Sequence, residues 1–270
     1  MSWVANARMY SVTADATAAW TEIFEWVAQQ SGVNLATIAH PTSLPMAELW
    51  TRADLGAGFM CGRPWLRAQP RPVPLVAPVP LPARYGGTAR YMTDLVVLGR
   101  GPFETLEATF GHRIGYTIEE SQSGFNAPRH HLLSHRSAER PALYAESIGP
   151  LHTPRGVVNA LLSGAIDIGP LDSYAFDLMR LDPADPAHRL RSVATTAPAP
   201  IPFIVAAPTC PETVTVPLRE AFLAAGQSPA LAAARHRLLL QEFRPVDISA
   251  YDLLSHWDRE ASAQGYAQPA

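Results

Sequence analysis

The sequence contains no lysine, so all 21 residues counted as basic are arginines. Lysine forms the Schiff base of many covalent enzymes and contacts the phosphates in P-loop proteins, so both classes are excluded. Acidic residues outnumber basic ones by 24 to 21, which gives a formal net charge of −3. General nucleic-acid binding depends on a basic excess, so we predict no nucleic acid as a partner.

Cysteine is scarce as well: Cys61 and Cys210 are the only two, too few for a disulfide framework or a zinc cluster. Apolar residues make up 47% of the chain but form no run of about 18, the length of a membrane span. The segment Met1–Tyr10 has no basic region, apolar stretch or small-residue cleavage site. We therefore expect no membrane span, and a periplasmic location if a signal peptide has been removed, otherwise a cytoplasmic one.

Enzyme motifs are missing too. The sequence has no GxGxxG, GxxxxGKS/T, HExxH or GxSxG pattern. Cys61 and His40 could form a nucleophile and base, but no third group is placed to orient them. His131 and His135 share a helix face and could bind zinc, but no acid or cysteine completes the ligand set. We predict that the protein is not an enzyme and uses no cofactor and no metal.

Short apolar strands alternate with helical patterns in two cycles, at 7–80 and 112–171. This alternation predicts an α/β fold with a mostly parallel sheet in each of two lobes. Extended segments at 88–98 and 193–206 are interpreted as two crossover strands. The predicted organisation is a discontinuous first lobe (1–93 and 197–270) and an inserted second lobe (94–196), with a ligand cleft between them.

Several elements follow from local pattern alone. A short, largely apolar segment predicts a strand at 7–12, and helical spacing predicts a helix from Ala14 to Gln30. The proline-rich stretch predicts an edge strand at 73–79, because proline cannot donate to a sheet ladder. Helices are expected at 103–108 and 229–241.

The segment Glu120–Asn126 follows an apolar strand and precedes a helix. Free backbone N–H groups at a helix start, together with serine hydroxyls, can bind an anion. The alternative is that Ser121 or Ser123 is only an N-cap. Both interpretations stay open at the level of the sequence.

Two further strand ends carry polar groups. At Gly149–Pro154, Thr153 is a good N-cap, and proline fits the first helical position. Arg155 lies in the first turn, where its charge opposes the helix dipole unless an anion is bound nearby. Asp172 follows another apolar strand and could either contact a ligand or cap the next helix.

Three more candidates follow strands in the first half of the chain: Tyr10, His40 and Arg63. Ligands of α/β folds bind beyond the carboxyl ends of parallel strands. An aromatic ring, a histidine and an arginine at three such ends suit a polar ligand with an anionic group. An ordinary loop role for His40 remains the alternative.

From about residue 7 to 206, the sequence resembles the type II periplasmic substrate-binding proteins, and within them the phosphate/phosphonate-binding (PhnD-like) family of ABC-transporter components. Seven segments carry this resemblance: His40-Pro41, Asp54–Pro64 with its Cys-Gly-x-Pro ending, Tyr91-Met92-Thr93-Asp94, Ser121–Asn126 with its Ser-x-Ser-Gly pattern, Ile148–Thr153, Ser163–Asp172, and Thr195–Phe203. Pro150-Leu151 departs from the family, which usually has a Ser-Gly-type loop before the histidine.

The resemblance implies a monomer whose two hinged lobes close on one small oxyanion, a phosphonate or phosphate-like ligand, for an ABC permease. The implied ligand contacts are Ser121, Ser123, Gly124, Phe125 and Asn126 at one helix start, His152 and Thr153 at the other, and Tyr10, Tyr91 and Asp172 around the rest of the ligand. Alternatives are a sulfonate or a thiamine-precursor pyrimidine as ligand, an intracellular ligand sensor, or an enzyme on this scaffold.

Overall fold

The computed structural model describes residues 2–270, which form two compact units. Among the described residues, the first unit contains residues 2–90 and Pro200–Ser249. The second contains Tyr91–Ala199 and Ala250–Ala270. The chain therefore passes from one unit to the other at three places, near residues 90, 200 and 250.

The described residues contain thirteen strands and nine α-helices. The strands are β1 (Trp3–Asn6), β2 (Leu35–Thr37), β3 (Leu55–Met60), β4 (Val73–Pro80), β5 (Arg90–Tyr91), β6 (Thr93–Leu98), β7 (Arg113–Gly115), β8 (Glu146–Ile148), β9 (Gly169–Asp172), β10 (Leu190–Thr195), β11 (Ala199–Pro200), β12 (Phe203–Ala206) and β13 (Leu240–Arg244). The α-helices are α1 (Ala14–Ser31), α2 (Met46–Trp50), α3 (Gly62–Arg67), α4 (Ala127–Leu132), α5 (Pro154–Leu162), α6 (Ser173–Met179), α7 (Glu212–Ala225), α8 (Ala232–Arg237) and α9 (Asp252–Ala263). Short 3₁₀ turns occur at Ala83–Tyr85, Glu107–Thr109, Leu133–His135, Pro186–Arg189, Pro229–Leu231 and Ile248–Tyr251, and a π-helical turn at Gln122–Asn126.

The C-terminal segment 250–270 belongs to the second unit, although the sequence analysis placed it in the first lobe. The reason is the packing of α9 on α4. The Trp257 ring stacks on the His130 ring with 4.8 Å between centroids and 10° between planes. The amphipathic pattern of α9 predicts a buried face, but the pattern alone does not identify the surface that covers it.

A six-stranded sheet forms the centre of the first unit, in the order β13-β4-β12-β3-β1-β2. Strands β1, β2 and β3 are parallel, whereas β12 is antiparallel to both of its neighbours and β13 is antiparallel to β4. Trp20 of α1 is 1% exposed and packs edge-on against Phe59 of β3 at 4.9 Å. The predicted helix at 14–30 is confirmed as α1, whose apolar stripe covers this sheet.

Three predictions for the first unit are wrong. The first strand is β1, and 7–12 begins with a turn in which the Tyr10 and Ser11 N–H groups donate to the Ala7 carbonyl. Strand β4 lies inside the sheet, because register irregularities in both neighbouring pairings accommodate its prolines. The predicted helix at 229–241 ends at Arg237 because Leu239 adopts a left-handed φ of 46°, and β13 follows.

The second unit contains an antiparallel sheet, β10-β6-β9, and a parallel pair, β7 and β8. The prediction of an α/β fold is confirmed, but the sheets are mixed rather than mostly parallel. The reason is that β6 and β10 run in opposite directions and pair with each other. The helix expected at 103–108 is reduced to the 3₁₀ turn at Glu107–Thr109. Within residues 2–270, no helix is both long enough and apolar enough to cross a membrane.

An ion pair anchors the start of β7. Asp167 accepts from Arg113 Nε at 2.9 Å, from Nη2 at 3.0 Å and from the Arg113 backbone N–H at 3.0 Å. These hydrogen bonds, chiefly those from the guanidinium, hold the pKa of Asp167 below its ordinary value. A depressed carboxyl pKa stabilises the fold above the unfolded-state pKa, and this contribution is lost as pH falls through the folded-state value.

Asp167→Asn is therefore expected to destabilise the protein near neutral pH and to have little effect in strong acid. Near neutral pH, the free energy of unfolding of the variant should be lower than that of the wild type by about 1 kcal/mol or less. The effect is small because the Arg113 side chain is 40% exposed and solvent screens the pair. Urea unfolding midpoints of the wild type and the variant, measured from neutral to acidic pH, test this. A difference in stability that does not change with pH would contradict it.

Candidate ligand-binding site

Residues Gln122–Asn126 form a π-helical turn that begins after Ser121 and leads directly into α4. Ser121 Oγ accepts from the Gly124 N–H at 2.9 Å, and its carbonyl accepts from the Asn126 N–H at 3.1 Å. Ser121 is thus the N-cap that the sequence offered as one of two interpretations. The N–H groups of Gln122 and Ser123 fall in the first turn, where no preceding helical carbonyl is available.

Ser123 differs from Ser121 in what its hydroxyl does. Its residue is 7% exposed, and within residues 2–270 no group hydrogen-bonds to its Oγ. Its carbonyl accepts from Thr93 Oγ1 of β6 at 3.0 Å, which fixes the backbone at this point. A fixed hydroxyl without a protein partner can donate to a bound anion.

Thr117, which the sequence analysis did not single out, joins the two helix starts. Its N–H donates to the Gly124 carbonyl at 3.2 Å, and its own carbonyl accepts from the His152 N–H at 3.0 Å. Thr117 Oγ1 is buried and has no hydrogen-bond partner in the described chain. The start of α5 therefore lies beside the π turn, with one residue bonded to both.

The turn before α5 is strained. His152 has a φ of 63°, and the Thr153 N–H donates to the Leu151 carbonyl at 2.7 Å. This hydrogen bond across one residue of positive φ is the strained form of the γ-turn. Thr153 Oγ1 then caps the Gly156 N–H at 3.0 Å. The exposed His152 imidazole has no partner among residues 2–270, so its donor is available.

Arg155 does not supply free charge to this region. Its guanidinium is ion-paired with Asp185, with Nη1 2.9 Å from Oδ1. Burial tends to raise the pKa of Asp185, but hydrogen bonds from Arg155 and the Ala187 N–H outweigh it and hold that pKa below its ordinary value. Helix-start N–H groups and neutral donors are therefore the groups this region offers to an anion.

Asp172 and Tyr91 belong to the same part of the second unit. Asp172 pairs in register with Thr93, and the Met92 N–H donates to Ser173 Oγ at 3.0 Å. Asp172 Oδ1 accepts from the Ala175 N–H at 3.0 Å, so the carboxylate caps α6. Tyr91, only 2% exposed, directly precedes this pairing.

The last two residues of the π turn direct their side chains into the protein. The Phe125 ring contacts the Tyr116 ring edge-on at 5.4 Å. Asn126 is fully buried, and its amide hydrogen-bonds to Gln122, Arg129 and Leu254. Phe125 and Asn126 thus support the turn by packing and internal hydrogen bonds.

The first-unit candidates Tyr10, His40 and Arg63 follow β1, β2 and β3, respectively. These strands are adjacent and parallel, so the three residues lie beyond the same edge of the sheet. Tyr10 is buried edge-on against Phe59 at 5.0 Å. His40 Nε2 lies 3.0 Å from the Pro45 carbonyl, and Arg63 is 6% exposed in α3.

The paired histidines of the sequence, His131 and His135, lie near each other at the end of α4. The His131 and His135 rings lie 6.0 Å apart, and burial, with the two neighbouring histidines, lowers the pKa of His131. Across residues 2–270, no group of three or more His, Cys, Asp or Glu side chains is arranged to hold a metal ion.

The α/β units with mixed sheets match the fold of solved periplasmic binding proteins. The family model for the periplasmic phosphonate substrate-binding proteins of ABC transporters matches residues 11–251. The chain belongs to this family of transporter binding proteins. No curated protein matches the chain.

Solved structures share the fold at low sequence identity. A binding-protein component of an ABC phosphonate transporter from Pseudomonas aeruginosa has a TM-score of 0.80 at 13% identity, over 98% of this chain and 88% of its own. PhnD1 from Prochlorococcus marinus, in complex with methylphosphonate, has a TM-score of 0.75 at 13% identity, over 96% and 98%. The aliphatic sulphonate-binding protein SsuA from Escherichia coli has a TM-score of 0.57 at 13% identity, over 98% and 87%.

Proposed function

We propose that this protein binds a small phosphonate or phosphate-like oxyanion and delivers it to an ABC permease. The observation that carries the proposal is the pair of helix starts joined by Thr117. The backbone bonds of Thr117 to Gly124 and His152 support a single binding region made of the first-turn N–H groups, the Ser123 hydroxyl and the His152 imidazole. Tyr91 and Asp172 adjoin this region through β6 and β9.

The donor chemistry favours an oxyanion. Helix N-termini bind phosphate-type groups through N–H donors and the positive end of the helix dipole. Because the protein has a formal net charge of −3 and Arg155 is paired with Asp185, the proposal relies on donors close to the ligand and not on a positively charged surface. Tyr10, His40 and Arg63 of the first unit, which lie beyond one edge of its sheet, are included in the proposal as further ligand contacts.

Family membership supports the remaining parts of the proposal. A periplasmic location, a permease partner and a monomeric state are the properties expected of a protein that collects ligand for a transporter. Co-expression with a candidate permease, followed by uptake of labelled methylphosphonate, tests the transport part separately from ligand binding.

The ligand class can be tested by thermal unfolding with inorganic phosphate, methylphosphonate and ethanesulfonate. A ligand that binds only the folded protein raises the unfolding temperature by mass action. We expect methylphosphonate or phosphate to raise it most. Stabilisation by the sulfonate alone would favour that alternative ligand, and no shift with any anion would contradict the proposal.

Ser123→Ala is expected to weaken methylphosphonate binding by roughly tenfold or more, because it removes a hydrogen bond to a charged ligand. Its hydroxyl has no protein partner within residues 2–270, so the fold should lose little stability. Isothermal titration calorimetry and a thermal scan measure the two effects. Ser163→Ala is the matched control, since Ser163 Oγ donates to the Ala160 carbonyl at the other end of α5. Equal affinities of the wild type and Ser123→Ala would exclude Ser123 from the site.

A further inference from the structure

A chain of buried polar side chains leads from the π turn to the C-terminal helix α9. Asn126 Nδ2 donates to Gln122 Oε1 at 2.8 Å and to the Leu254 carbonyl at 3.0 Å. Arg129 Nη2 donates to Asn126 Oδ1 at 3.4 Å and forms an ion pair with Asp258. Leu254 and Asp258 are both in α9, so these contacts connect two distant parts of the sequence.

The burial of this network makes its geometry restrictive. Gln122, Asn126 and Arg129 are 1%, 0% and 4% exposed, respectively. A buried polar group that loses its partner cannot replace it with water, so each member strongly constrains the next. Arg129 is held further by its Nη1 donation to the Ala267 carbonyl at 3.1 Å and by the Phe125 ring, 5.3 Å from its guanidinium carbon.

Asn126 is also the residue that closes the π turn. Its N–H bonds to the Ser121 carbonyl five residues earlier, rather than to a carbonyl four residues earlier. Isolated π turns are rare and occur often at functional sites. The direction of the Gln122 and Ser123 N–H groups depends on this turn, and the Asn126 side chain ties the turn to α9.

We infer that Asn126, held by Arg129 and Asp258, is a positioning residue through which α9 sets the geometry of the anion-binding helix start. The expected effect of Asn126 on ligand affinity rests on the proposed function. The side chain of Asn126 then acts through the backbone of the turn instead of touching the ligand. The C-terminal helix becomes part of the binding machinery as well as part of the core.

The same helix pair provides a contact that lies outside this network. Glu260 of α9 lies 2.7 Å from His130 Nε2 of α4, beside the stacked Trp257 ring. This hydrogen bond docks α9 on α4, as the Arg129–Asp258 ion pair does, but neither His130 nor Glu260 bonds to Asn126. Glu260 is therefore a matched control for any effect of loosening α9 in general.

The experiment compares Asp258→Asn with Glu260→Gln. Asp258→Asn is expected to weaken methylphosphonate binding by roughly fivefold, the effect of one hydrogen bond. It should also shift the amide resonances of residues 122–126 in the ligand-free protein. Glu260→Gln should leave the affinity and those resonances near their wild-type values. Equal losses of affinity in both variants, or none in Asp258→Asn, would overturn the inference.

Two further variants keep the test decisive. Arg129→Lys retains a charge for Asp258 but loses the planar group that reaches Asn126, so it should show the same loss of affinity. Asp258→Glu keeps the negative charge and should retain most of the wild-type affinity for methylphosphonate. If the wild type binds no methylphosphonate, the proposed function fails. The amide resonances of residues 122–126 would still decide whether α9 positions the turn.

Discussion

The substitution Gly124→Ala is expected to abolish measurable methylphosphonate binding. A Cβ built on Gly124 would lie 1.8 Å from Thr117 Oγ1 and 2.8 Å from both side-chain carbons of Thr117. Thr117 cannot move away freely, because its N–H and carbonyl bond to Gly124 and His152. The π turn must therefore shift, which displaces the first-turn N–H groups. Overpacking of this kind costs roughly 1–3 kcal/mol of stability, and we expect the affinity to fall by at least about 100-fold.

Titration calorimetry and thermal unfolding of Gly124→Ala measure this prediction. Gly58→Ala is the control, because its nearest neighbour is the flexible end of Leu55 at 3.1 Å, in the first unit. The double variant Gly124→Ala with Thr117→Gly removes all three clashing atoms and should recover part of the affinity. Near-wild-type binding by Gly124→Ala alone would show that the turn does not hold the ligand.

Local sequence rules predicted the parts of this molecule that local physics determines. The amphipathic spacing of α1 and the capping serine and threonine at the two helix starts are each set within a few residues. The Ser-x-Ser-Gly pattern could therefore be assigned to a helix start from the sequence alone. The glycine in that pattern is required by Thr117, which lies seven residues earlier in the chain, just after β7.

The parts that local rules missed depend on contacts between distant residues. The position of β4 inside the sheet depends on irregular pairing with β12 and β13, which its prolines alone do not predict. The location of α9 depends on the network through Asn126 and on the Trp257 ring. Thr117 belongs to no recognisable sequence motif. It matters because its backbone bonds to both helix starts. No single-sequence signal identifies such a residue.

The substitution His152→Gly is expected to stabilise the protein and to weaken its ligand binding. His152 is held at a φ of 63°, a left-handed conformation that costs an L-residue roughly 1–2 kcal/mol. Glycine adopts it without this strain but loses more backbone entropy on folding, so a net gain of about 1 kcal/mol is expected. The substitution also removes the imidazole donor, which should weaken methylphosphonate binding roughly tenfold.

His152→Ala is the matched comparison, because it removes the same imidazole and keeps a Cβ in the strained turn. Both variants should lose affinity to a similar extent, whereas only the glycine variant should unfold at a higher temperature than the wild type. Thermal scans without ligand and calorimetric titrations with methylphosphonate separate the two effects. Unchanged affinity in both variants would remove His152 from the binding site. A glycine variant less stable than the alanine variant would show that the turn stores no strain. If the expected pattern is found, the left-handed turn is maintained at a cost to stability because it presents a donor beside the start of α5.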